Sequence, residues 1–259
     1  PVFSQSSAVM LSPGDAVPGV DPVRPVMFSN VKLAALAAAA KASGSALRDL
    51  RRNDERDVAK RRDISPDCLR IHTVGHDCSI GKMVTSIEVT RGLAKRGVDA
   101  KFIATGQTGI MVEGDGCPVD AVVADFISGA VEKQILAHQH HEVLVIEGQG
   151  SITHPCYSAV TLGLLHGCLP DGLIYCYEMG REMTKGAAHV ELPPMEMQRD
   201  LYLGMANAAH PCRFIGVAIN SRAADESAWS ALARCSRRRV SVAAALLRDC
   251  SSCAVVDSL

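Results

Sequence analysis

A chain of 259 residues, 47% hydrophobic and 21% charged, has enough apolar material for a substantial core, as one large domain or two small ones. Its formal charge of -1 removes the electrostatic basis for nucleic acid or an anionic membrane as partner, and no apolar run approaches the ~20 residues of a membrane span. The opening residues lack the basic start and apolar centre of a secretory signal. The ten cysteines are therefore expected as free thiols of a cytoplasmic protein. Cys250 and Cys253 have C-x-x-C spacing, but with no second pair and no His at zinc spacing they assign no metal ligand set.

In chain order, residues 1 to about 30 are rich in Pro, Gly and Ser and read as irregular. "NVKLAALAAAAKASG" then predicts a helix stopped by Gly44. Residues 48–63, "RDLRRNDERDVAKRRD", mix both charge signs and read as a solvated linker. From Leu69 the pattern changes to short apolar runs separated by helix-length segments. The strands are expected at "LRIHTV", "AKFIAT", "EVLVIE", "GLIYCY" and "RFIGVAIN", with helices at 82–96, stopped by Gly97, and at about 120–137. Strands without polar alternation, separated by helix-length segments, predict a mostly parallel sheet with helices on both faces, an α/β fold of the P-loop NTPase-like kind. The expected division is an N-terminal segment, 1–68, and an α/β domain, 69–259. In such sheets ligands bind beyond the carboxyl ends of the strands.

The densest motif sits at one of those ends. Gly75-x-x-x-x-Gly81-Lys82 follows a buried strand and opens a helix, the context of a phosphate-binding loop. Main-chain N–H groups around Asp77, Cys78 and Ser79, the helix N-terminus and the Lys82 ammonium would hold a diphosphate. Met83, however, stands where a hydroxyl normally ligates magnesium, and a thioether is a poor ligand for that ion. Thr85 or Ser86 offers an alternative hydroxyl to a phosphate oxygen. Such a loop keeps its hold on phosphate better than its hold on metal.

Three further motifs follow strand ends. Glu147 stands at the tip of "VLVIE", ahead of Gly148, Gln149 and Gly150, with Ser151 and His154 close behind. A carboxylate there can bind metal, position water, orient an amine, or cap a following helix. Thr105-Gly106-Gln107-Thr108-Gly109 offers glycines for close backbone approach by a ligand. Asp120 and Asp125, on the helix expected over 120–137, would point about 140° apart and so do not form an acid–base pair by spacing. Asn220 ends the last strong strand, where its amide could read an adenine edge. His166 reads as a core residue, and Arg237–Arg239 as surface.

Together, "HTVGHDCSIGKM", "KFIATGQTGIMVEGDGCPVDAVVADF", "VIEGQGSITHPCYSAVTLGLLHG" and "PDGLIYCYE" resemble a P-loop family long catalogued as a domain of unknown function, whose characterised members are D-glutamate N-acetyltransferases. A more distant likeness, through "GHDCSIGKM" and "IEGQG", is to dethiobiotin synthetase. The first resemblance implies an N-acetyltransferase that uses acetyl-CoA and an acidic D-amino acid, with coenzyme phosphates in the loop and Glu147 or His154 as general base. Main-chain amides of 105–109 or 148–150 would stabilise the oxyanion. Coenzyme A carries a diphosphate, and acetyl transfer cleaves no phosphoryl group, so a loop without its magnesium hydroxyl suits that chemistry. The second implies a Mg-ATP-dependent ligase or kinase; an inactive nucleotide-binding module is the non-enzymatic alternative. The family usually carries a Rossmann-like domain ahead of the P-loop domain, and here only its last helix, 31–53, is recognisable, as in an N-terminally shortened member. The partner expected is a small molecule, and a homo-oligomer is compatible with the sequence.

Overall fold

The structure, a computed structural model, describes residues 33–51 and 53–221, together with the backbone of short strands at 7–12, 25–28 and 253–255. Arg237–Arg239 and Cys250 lie outside the described residues. In chain order the elements are β1 (Ser7–Ser12), β2 (Pro25–Phe28), α1 (Leu33–Ser43), β3 (Ala46–Asp49), β4 (Leu69–Gly75), α2 (Lys82–Ala94), β5 (Ala100–Ile103), α3 (Gln107–Glu113), α4 (Ile127–His138), β6 (Val143–Ile146), α5 (Ser158–Cys168), β7 (Gly172–Glu178), β8 (Met183–Thr184), β9 (Ala187–Glu191), α6 (Met195–Asn207), β10 (Arg213–Asn220) and β11 (Cys253–Val255).

Six strands form the main sheet in the order β11-β10-β7-β4-β6-β5. The five from β10 to β5 run parallel, and β11 pairs antiparallel at the edge. The register explains why these strands carry no polar alternation. Along β7, Leu173 and Tyr175 pack with Leu165 and Tyr202 of α5 and α6, whereas Ile174 and Cys176 pack on the opposite face with Ile80 and, through it, α2. Along β6, Leu144 and Ile146 join Val131 and Ile135 of α4 in a third cluster. With both faces covered, the strands show no alternation of apolar and polar faces, and the polar residues of β4 (Arg70, His72 and Thr73) are themselves buried.

The helix expected over 120–137 is shorter than anticipated. Two 3-10 turns, Val119–Ala121 and Ala124–Phe126, precede α4, and Val122 and Val123 between them are extended, with ψ of 138° and 135°. Val119 and Val122 are drawn into the α4–α5 core cluster, and adjacent β-branched residues favour the extended backbone that lets them reach it. Gly97 stops α2 as expected, at φ 82°. Residues 7–12 and 25–28 depart from the irregular expectation, since β1 and β2 pair with β3 in a small antiparallel sheet.

The charged segment is solvated in its side chains but anchored in its backbone. Both carboxylate oxygens of the buried Glu132 on α4 accept N–H bonds from Lys60 and Arg61, each 2.7 Å. Asn53 donates to the Ala121 carbonyl at 3.2 Å. Gly129 has no room for a Cβ because the Asp57 carbonyl lies directly against it. Residues 53–61 are thus a strap across α4. Among the described residues, the cysteines are free thiols, and no helix is long and apolar enough to cross a membrane.

Candidate active site

The loop between β4 and α2 takes its shape from backbone requirements. Ser79 and Gly81 adopt left-handed φ values of 55° and 108° on either side of Ile80, whose side chain is buried in the core. Left-handed positions turn successive N–H groups toward one side of a loop, and the N-terminus of α2 adds its partial positive charge there. Gly75 is required for packing, because a Cβ would meet Ile80 Cδ1 and the Cys176 carbonyl. The Lys82 ammonium is buried and donates to the Asp77 carbonyl at 2.6 Å. Burial pushes its pKa down from the ordinary lysine value.

Asp77 has a structural side-chain task beside the main-chain role expected of this stretch. Its side chain is fully buried and accepts from the Cys78 N–H at 2.7 Å, the Lys185 N–H at 2.8 Å and the Arg181 guanidinium at 2.9 Å. Its carboxylate therefore ties the phosphate loop to the segment between β7 and β9. Met83 packs with Leu50, Phe102 and Ile110, so apolar neighbours surround a side chain that ligates magnesium poorly. Thr85 is buried beneath the loop, against Cys176 Sγ at 3.6 Å.

Glu147 lies at the end of β6 and meets the loop after β5. Its Oε2 accepts N–H bonds from Thr105 (2.8 Å) and Gly106 (3.0 Å), and its Oε1 accepts one from the Gln149 amide (3.1 Å). The Thr105 hydroxyl donates to the Glu147 carbonyl at 2.8 Å. A Cβ at Gly106 would strike the Gln149 amide and press on Glu147, and one at Gly109 would strike the Glu147 carboxylate itself. The close backbone approach that these glycines permit is made by the protein's own carboxylate, held just ahead of α3 by the Thr105 and Gly106 N–H groups. Burial dominates its titration and raises the Glu147 pKa from the ordinary 4.5 to about 6, against the lowering effect of the three hydrogen bonds. Several of the amides expected to hold an oxyanion are consequently committed: Thr105 and Gly106 to Glu147, and Gly148 to the Thr73 hydroxyl at 3.0 Å.

These pieces converge on one cavity of about 550 Å³ beyond the carboxyl ends of β4, β5 and β6. Cys78, Ser79, Gly81, Lys82 and Met83 form one wall, Gly106, Gln107 and Thr108 another, and Glu147 with Gln149 the floor between them. Asp120 stands on the rim, its carboxylate 3.1 Å from Arg51. Tyr157 and Val160 of the α5 start also line the cavity.

The comparisons agree with this architecture. Residues 57–253 match the model of the DUF1611 family, described as a domain of unknown function (DUF1611_C), P-loop domain. The chain belongs to this family. It is 41% identical over 192 residues to a D-glutamate N-acetyltransferase of Tritonibacter scottomollicae, covering 72% of this chain and 56% of that protein. It is 40% identical over 153 residues to a D-glutamate N-acetyltransferase of a Pseudoalteromonas species, covering 59% and 46%. The crystal structure of a DUF1611 family protein from Anabaena variabilis ATCC 29413 superposes with a TM-score of 0.70 at 36% identity, covering 75% of this chain and 58% of that one. The chain thus spans about half the length of the curated relatives it matches.

In this DUF1611 member the remaining candidates lie outside the cavity. His154 is buried, its Nδ1 accepting the Cys156 N–H at 3.1 Å and its Nε2 donating to the Lys185 carbonyl at 3.0 Å. With both ring nitrogens occupied, it has the bonding of a positioning residue. Asp77, Cys78 and His154 bring ligand atoms within 4.8 Å of one another. The Asp77 carboxylate is already paired with the Arg181 guanidinium and accepts two main-chain N–H bonds. Ser151 is buried beside Thr153, Asp125 is exposed in the second 3-10 turn, and Asn220 ends β10 away from the cavity walls. Tyr157 escaped sequence reasoning, because nothing local sets it apart from its neighbours in "HPCYSAV".

Proposed function

We propose that this chain carries the acetyl-transfer centre of a D-glutamate N-acetyltransferase. The observation that carries the reading is a buried carboxylate, Glu147, on the floor of a cavity whose opposite wall is a phosphate-binding loop. The names of the two relatives support the acceptor, D-glutamate, and the reaction class. The donor we assign is acetyl-CoA. Its diphosphate suits the left-handed turn at Ser79 and Gly81 with the Lys82 ammonium, and this cradle needs no side-chain hydroxyl from position 83.

The acceptor enters as an ammonium and has no lone pair until a proton leaves. Glu147, with a pKa near 6, is ionised above that pH and takes this proton as the nitrogen attacks the thioester carbonyl. A C–N bond forms and the C–S bond breaks; of the two protons the ammonium sheds in becoming an amide, one passes through Glu147 to the departing sulfur, so that the coenzyme leaves as its thiol, and the other goes to solvent. The three hydrogen bonds to Glu147 and the glycine contacts at 106 and 109 hold its carboxylate in one orientation, so little reorganisation accompanies transfer. Lys82 supplies the positive charge of the cavity, and its low intrinsic freedom in a buried setting keeps that charge beside the loop.

The test is thiol release by the purified chain given acetyl-CoA and D-glutamate, with L-glutamate and the Glu147→Gln protein as controls. Release with D-glutamate that disappears in Glu147→Gln supports the reading. No release, together with thermal stabilisation by Mg-ATP and none by acetyl-CoA, sinks it in favour of a nucleotide-dependent reaction.

A further inference from the structure

A second cavity, of about 420 Å³, lies on the other side of the phosphate loop, between the end of β7, the β8–β9 hairpin and the start of α6. The mechanism above uses none of it. At its floor is His76, only 3% exposed, and neither ring nitrogen has a hydrogen-bond partner. Buried polar atoms are nearly always satisfied, and an imidazole with both nitrogens idle in a cavity wall is a specific invitation to a ligand. Burial, the largest influence, lowers the His76 pKa to about 4. At neutral pH the ring is uncharged, with one nitrogen a donor and the other an acceptor.

The walls and mouth define what else the ligand carries. Tyr177 packs against His76 with ring centroids 4.8 Å apart, and Tyr175 continues the aromatic wall. Glu182 and Glu191 stand exposed at the mouth. The cation that lines the cavity, Arg181, is already engaged by Asp77, the Cys78 carbonyl and Glu178. The free electrostatic character is therefore negative, and aromatic faces beside carboxylates favour a cation.

We propose that this cavity is a second small-molecule site, taking a primary amine at the Glu182–Glu191 mouth and, at the other end of an apolar or aromatic body, a hydroxyl against His76. A hydroxyl both donates and accepts, so it satisfies the imidazole in either tautomer. An ammonium at the mouth meets two carboxylates, and the apolar body between them fills the space beside Leu192 and Met195. A carboxylate at the same end is repelled.

Tyramine is the probe. It is titrated into the protein labelled with nitrogen-15 while the His76 ring resonances are followed, without any acyl donor, so the result is independent of the transferase reading. The expected result is a saturable shift of the His76 ring, weaker affinity for phenethylamine, which lacks the hydroxyl, and no shift with 3-(4-hydroxyphenyl)propionate. In the Glu182→Gln/Glu191→Gln protein, whose changes are at exposed positions, tyramine affinity should fall on the order of tenfold or more. Absence of a saturable His76 shift at millimolar tyramine overturns the proposal. So does propionate binding as tight as tyramine, a comparison made entirely on the unaltered protein.

Discussion

Replacing Glu147 by glutamine separates the chemistry of its carboxylate from the cost of burying its charge. The folded environment raises the Glu147 pKa from 4.5 to about 6, so the fold prefers the protonated acid. Below pH 4.5 the group is neutral in folded and unfolded chains alike, and no difference arises. As pH rises through 6, the unfolded chain has already lost its proton while the folded chain gives it up against resistance, and stability declines to a plateau. At about 1.4 kcal/mol per pH unit, the decline amounts to about 2 kcal/mol. Glutamine keeps an oxygen to accept the Thr105 and Gly106 N–H bonds, and rotation of the Gln149 amide presents an oxygen to the new NH2. Glu147→Gln should therefore match the unaltered protein near pH 4 and exceed it by about 2 kcal/mol at pH 8, or ~4–8 °C in melting temperature for a domain of this size. Acetyl transfer should fall by about 10²-fold or more with the base removed. Thermal unfolding at the two pH values, with thiol release at pH 8, measures both effects. Loss of stability at pH 8, or a stability difference that does not vary with pH, refutes the account of Glu147 as a charge buried for function.

In the unaltered protein, acetyl transfer should rise with pH through about 6 as Glu147 ionises, and a flat profile between pH 5 and 7 would point to another base. Lys82→Ala should weaken acetyl-CoA binding by about 10- to 100-fold, the worth of a charge-assisted bond; undiminished affinity in calorimetry removes the loop from the site. Asp77→Ala leaves the Cys78 and Lys185 N–H groups without their acceptor, while Arg181 keeps the Cys78 carbonyl and Glu178, and should cost about 1–3 kcal/mol in urea unfolding, with Asp77→Asn milder. Glu132→Ala should release the 53–61 strap, seen as faster tryptic cleavage at Arg61 and Arg62 with the remaining domain intact.

The parts of this molecule that were legible in the sequence are those fixed by local pattern. Leu173 to Cys176 read as strand because both of their faces are buried, and Gly75 to Lys82 read as a phosphate loop because glycine spacing dictates backbone shape. The roles of Asp77 and Glu147 were not legible in the same way. The partners of the Asp77 carboxylate, Arg181 and Lys185, lie more than 100 residues later in the chain, beyond the reach of a local pattern. Gly106 and Gly109 advertise a close approach without saying that the approaching group is Glu147. The turns at 119–126 were masked because tertiary burial of Val119 and Val122 overrides a composition that continues into a true helix. His76 is invisible in sequence, where it falls on one of the positions between Gly75 and Gly81 that the loop spacing does not specify.

The Tyr202 hydroxyl donates to the Gly75 carbonyl at 2.9 Å and accepts the Ile152 N–H at 3.0 Å, so one oxygen rivets α6 to segments 127 and 50 residues upstream. This has a bearing on biosynthesis. A nascent polypeptide that has cleared the ribosome only through β6 possesses every glycine of the anion cradle but neither the guanidinium of Arg181 nor this phenol to set its curvature. The final curvature of the loop therefore waits on translation of α6.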